Sequence, residues 1–188
     1  RSGHEAHRAH AGRVILASFA WAVPVEQVVL ELVPELVDHV QRQTQTTFRN
    51  VPTVVVSDAA TERARRGEAW NATDAYAHYV PHEGVIEVFF DQLSDRFEPR
   101  AQLACVLTHE LTHALQHQVL GDTLADADLF LVEGHAVQTA SDYCEPIGMR
   151  FEPRLLAEAI RPESYAPGVS DSAHVYTWGA RMVARLSD

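Results

Sequence analysis

Apolar residues recur at helical spacing through 26–47, where Val29, Leu32, Val33, Leu36, Val37 and Val40 share a face and predict a scaffold helix made irregular by Pro34. The period then changes. Residues 51–56 are β-branched and bounded by Asn50 and Ser57-Asp58, which predicts a strand. Residues 76–80 and 85–90 flank Pro81-His82-Glu83-Gly84, and two short apolar runs around a Pro and Gly turn predict a hairpin. The helical pattern returns at 101–120 with Pro99 near its first turn, breaks at Gly121-Asp122, and resumes over 124–144. Glu145-Pro146-Ile147-Gly148 ends that run. A short helix is expected over 151–160, stopped by Arg161-Pro162, and a last one over 174–186. The expected fold class is α+β, mostly helical with a small sheet. No repeat or linker divides 1–188, which reads as one unit with an N-terminal helical part (1–47), a sheet (51–90) and a second helical part (99–188).

Composition bounds the functions open to such a chain. With 188 residues, 46% of them hydrophobic and 22% charged, it belongs to the globular class and can bury one sizeable core. A net charge of -11 argues against a nucleic-acid partner, which rewards a basic patch. All 15 cationic side chains are arginine, a bias that points to a GC-rich bacterial genome rather than to a function. The apolar run 14–25 is too short to span a bilayer. Because the chain starts at Arg1, a processed or excised fragment is expected and export stays open. The oligomeric state stays open, with a monomer favoured over an assembly. His4, His7 and His10 read as a solvated helix start rather than a metal tract, and Cys105 and Cys144 as buried small hydrophobes rather than a disulfide.

One segment carries chemistry. In His109-Glu110-Leu111-Thr112-His113, the two histidines are one helical turn apart and can aim imidazole nitrogens at a single ion. Glu110, roughly 100° around the helix from His109, reaches a water on that ion without ligating it. A catalytic zinc takes three protein ligands and keeps a fourth position open, so one more ligand is needed. Glu133 supplies it. With Phe130, Val137 and Ala140 it forms an inward stripe, where a carboxylate requires a cationic partner. His117 continues the stripe but lies roughly 6 Å beyond His113 along the axis, too far to ligate the same ion. The expected chemistry is peptide hydrolysis with one Zn2+ per chain. Zinc would lower the pKa of its water and polarise the scissile carbonyl, while Glu110 takes the proton and returns it to the leaving amine.

The residues HELTH together with Phe130-Leu131-Val132-Glu133-Gly134-His135-Ala136 resemble the gluzincin zinc metallopeptidases, closest to the peptidase-MA-like, neutral aminopeptidase branch. The resemblance implies a zincin-like catalytic domain acting on a peptide or protein substrate. It also implies an edge strand just before the zinc helix that binds extended peptide through its backbone, and 85–89 occupies that place, with Val85, Ile86, Glu87 and Val88 as the substrate-binding residues. In Val175-Tyr176-Thr177-Trp178-Gly179, Tyr176 inherits by resemblance the role of oxyanion donor, with His174 as the competing donor. Two departures stand out. Val137 replaces the aspartate that thermolysin-like enzymes use to orient a ligand histidine, so the partner of that histidine must come from elsewhere. No Gly-x-Met-Glu-Asn run is present to hold a substrate's free amine, which tilts the expectation toward internal peptide bonds. Two other functions compete with a peptidase: a catalytically silent or regulated binding module on the same fold, and a metal-free helical interaction protein. The second leaves a His-Glu-His cluster in an apolar setting without a cation.

Overall fold

The first helical stripe becomes α1 (Val25–Thr44), whose Val25, Val28, Val29, Leu32, Leu36, Val37 and Val40 are buried as one face. The structure is a computed structural model and describes residues 24–58, 61, 76–92 and 98–148. Pro34 does not end α1. It lies on the exposed face, and Leu30, whose carbonyl loses its amide partner to the proline ring, is itself exposed.

Three strands follow: β1 (Thr53–Ser57), β2 (Ala77–Val80) and β3 (Val85–Phe89). The hairpin expected between β2 and β3 is present, closed by a turn in which Gly84 takes a φ of 65°, a conformation that favours glycine. The strand order is β1-β3-β2, with β1 parallel and β2 antiparallel to β3. This corrects one expectation. The strand that precedes the HELTH helix is the middle strand and not an edge, so the backbones of Val85, Ile86, Glu87 and Val88 have neighbours on both sides and offer no row of free groups to a peptide. Burial agrees, since Ile86, Glu87, Val88 and Phe89 are all buried and both faces of the strand are therefore covered. Alternation alone could not reveal this, because strand order depends on where β1 returns to the sheet.

Helix α2 (Pro99–Leu120) begins with Glu98, whose carboxylate accepts from the amides of Arg100 and Ala101, and with Pro99, whose missing N–H is no loss in a first turn. It runs through the middle of the molecule, with Leu103, Leu107 and Leu111 fully buried against α1 and the sheet residues Ile86 and Val88. Thr108 and Thr112 are buried as well, and each hydroxyl donates to the carbonyl one turn back. Gly121, at a φ of 58°, ends the helix.

The expected second helix starts later than its apolar pattern. Residues Gly121–Asp126 form a 3-10 segment, Ala127 is extended, and α3 covers Leu129–Cys144. It packs antiparallel to α2, which brings Cys105 and Cys144 together with Cα atoms 5.8 Å apart. They form a disulfide, contrary to the expectation of two unpaired thiols; a sequence separation of 39 carries no sign of that proximity. Against α1, α3 is fastened by His39 Nε2, 3.0 Å from the Thr139 carbonyl, and by the Tyr143 hydroxyl donating to Glu35. Among the described residues no helix is long and apolar enough to cross a membrane.

Candidate metal centre

Helix α2 presents His109 and His113 one turn apart, and the antiparallel α3 sets Glu133 opposite them. His113 Nε2 lies 3.0 Å from His109 Nε2 and 3.2 Å from Glu133 Oε2, while His109 Nε2 is 3.4 Å from the same oxygen. Tetrahedral zinc bonded at about 2.0–2.1 Å holds neighbouring ligand atoms about 3.3 Å apart. The three side chains therefore converge at the spacing of ligands around one small cation. Each is only about 15% exposed, so the cluster is shielded yet not sealed.

Electrostatics express the same convergence. Burial disfavours the charged form of His113, but the Glu133 hydrogen bond and the charges of Glu110 and Glu133 outweigh it and push the ring up to about 9. Burial likewise disfavours the Glu133 carboxylate, yet its bonds to His109 and His113 hold it down at about 2. Without a cation, a proton on His113 compensates the carboxylate. A metal ion at the same point would replace that proton.

Glu110 is buried, and its Oε2 accepts a 2.8 Å bond from the backbone amide of Tyr79 on β2. The carboxylate expected to handle protons is thus held by the strand that lies along α2. The Tyr79 phenol points along the helix to His117 Nδ1 at 3.4 Å, and burial raises its pKa. His117 stays outside the three-residue cluster, as its distance along the helix axis requires. In the hairpin, His78 pairs with Glu87 across the strands at 3.0 Å, while His82 is exposed in the turn.

Sequence reasoning missed three contributors. Gln116 Oε1 is 2.9 Å from His113 Nδ1, its Nε2 donates to the Val132 carbonyl at 2.9 Å, and that nitrogen also lies 3.2 Å from His135 Nδ1. His135 is partly buried, and burial followed by the nearby charge of His113 lowers its pKa. The third is the Tyr79 amide. Gln116 was legible in part, because residues three apart on a helix are neighbours; its partners on α3 were not. A backbone donor such as that of Tyr79 leaves no mark in a sequence. Gln116, Val132 and His135 also border an apolar cavity of about 360 Å³. None of His109, Glu110, His113 and Glu133 lines that cavity. Tyr176 and His174, the expected oxyanion donors, lie outside the described residues, as do His4, His7 and His10 and the helices expected over 151–160 and 174–186. Compared with models of known families, with curated proteins and with solved structures, the chain matches none.

Proposed function

We propose that this chain is a zinc-dependent peptidase of the gluzincin type, holding one Zn2+ with His109, His113 and Glu133 and cleaving internal bonds of a peptide or protein substrate. The observation that carries the reading is the spacing of the three ligand atoms, 3.0, 3.2 and 3.4 Å, beside a fourth residue, Glu110, that shares the helix without sharing the cluster. When bound, the ion supplies Lewis acidity, activating water and polarising a carbonyl.

The chain's own residues do the rest. Glu110 receives a proton at its carboxylate and returns it to the leaving amine. The Tyr79 amide on Oε2 orients that carboxylate and leaves Oε1 to act. Because Tyr79 links β2 to α2, the strand lying beside the site is β2 rather than β3, and an extended peptide is proposed to run along β2. Tyr176, or His174 two residues earlier in the sequence, remains the proposed donor to the developing oxyanion.

Metal content by elemental mass spectrometry tests the ligand set, with His109→Ala beside the wild type; about one zinc per wild-type chain and little in the variant are expected. Cleavage of a peptide library tests the chemistry. Glu110→Gln should retain zinc and lose at least about a hundred-fold in rate; a Glu110→Gln protein with full activity rules out the proposed base.

A further inference from the structure

A histidine that ligates through Nε2 must carry its hydrogen on Nδ1, and something has to hold it there. The geometry points to Gln116 as the positioning residue that sets the hydrogen of His113 and couples it to the segment carrying Glu133. The inference rests on the metal-site reading.

The orientation of the Gln116 amide follows from its partners. The Val132 carbonyl can only accept, so the nitrogen of the amide must face it, at 2.9 Å. The amide oxygen is then the atom facing His113, 2.9 Å from Nδ1, and an amide oxygen can only accept. His113 must therefore keep a hydrogen on Nδ1, so the proton that a cation displaces is the one on Nε2, which lies 3.2 Å from Glu133 Oε2. The second hydrogen of the Gln116 nitrogen faces His135 Nδ1 at 3.2 Å, so both donors of the amide have acceptors and the group has no reason to flip. Val132 immediately precedes Glu133. A single side chain thus ties the tautomer of a ligand on α2 to the backbone beside a ligand on α3.

Three forms of the full chain test this: wild type, Gln116→Met, which keeps length and bulk but cannot accept a hydrogen bond, and Gln116→Glu, which keeps an acceptor toward His113. Zinc affinity is read by competition with a chromophoric chelator. In the zinc-loaded proteins, ring nitrogens labelled with 15N report whether His113 holds a slowly exchanging Nδ1 hydrogen. The methionine variant should bind zinc about 10–100-fold more weakly and lose the protected Nδ1 signal, and the glutamate variant should recover most of the affinity and the signal. Wild-type affinity in Gln116→Met, an unchanged His113 pattern, or equal losses in both variants overturns the positioning role while zinc in the wild type keeps the metal site standing. No zinc uptake by the wild type overturns the metal-site reading, and the role of Gln116 toward it.

Discussion

The α2–α3 helix pair is joined in two different ways along its length. Where the start of α2 meets the end of α3, Cys105 and Cys144 are fully buried and covalently linked. Toward the opposite end of the pair, where the C-terminal half of α2 meets the start of α3, His109, His113, Gln116, Val132 and Glu133 meet through polar contacts of 2.9–3.4 Å and are partly exposed. The covalent end needs no solvent and no exchange, so it can be apolar. The polar region holds two rings and a carboxylate whose charges are balanced only by a proton or a cation, and it must stay reachable for either to enter or leave. One end fixes the distance between the helices; the other uses that distance to space ligands.

The polar region should break most completely. Glu133→Ala or His113→Ala removes one of three ligands, and zinc affinity is expected to fall on the order of a thousand-fold by chelator competition, with the fold retained because the disulfide and the α1 contacts are untouched. Removing the covalent end instead, with Cys105→Ala and Cys144→Ala together, should lower stability by about 4 kcal/mol in urea unfolding, as expected for closing a loop of this length. Zinc affinity should change by less than about ten-fold there, since neither cysteine belongs to the ligand cluster, whereas losing a group that holds a ligand costs about 10–100-fold. If the double variant loses zinc as badly as Glu133→Ala, the division between the two regions does not hold.

Acidity sharpens the contrast, because the polar region titrates and the disulfide does not. The folded-state pKa of His113 is raised from 6.5 to about 9, so its contribution to the metal-free fold is complete below pH 6.5 and is lost as pH rises through 9. That of Glu133 is lowered from 4.5 to about 2, so its contribution is complete above pH 4.5 and is lost as pH falls toward 2. Stability of the metal-free protein, followed by denaturant midpoints, should therefore gain most from this pair between those limits. Zinc binding takes the opposite slope: it displaces the His113 proton and should tighten about ten-fold per pH unit up to about pH 9. The smallest effect is expected from Tyr79→Phe. It removes a 3.4 Å contact between the phenol and His117 but leaves the backbone amide on Glu110 in place, so stability should change by less than about 1 kcal/mol and zinc affinity not at all.

How much of this was legible before the structure depends on whether a signal is local. The α1 stripe, the hairpin turn and the His109–His113 pair all follow from spacings of one helical turn or less, and the backbone periods of helix and strand make such spacings readable. The place of β3 in the sheet was misread for the reason that it is not local. Parallel pairing with β1 joins segments some thirty residues apart, and either an edge or a central strand fits the apolar run 85–89. The helix over 129–144 was anticipated, yet its start was placed too early because a 3-10 turn and a helix share apolar spacing over so few residues.

By itself, the sequence determined which residues can share a helical face, and so that His109, Glu110 and His113 stand together with one carboxylate beside two imidazoles. Glu133 was read as their partner from chemistry, because a carboxylate on an apolar stripe needs a cation. Only the tertiary structure decided that α3 runs antiparallel to α2 at a separation that puts Glu133 Oε2 within 3.4 Å of both rings, joins Cys105 to Cys144, and sets the Val132 carbonyl against Gln116. The physical reason is range. Backbone geometry repeats within a few residues and imprints itself on the order of side chains, whereas the approach of two helices is set by the summed packing of the whole core.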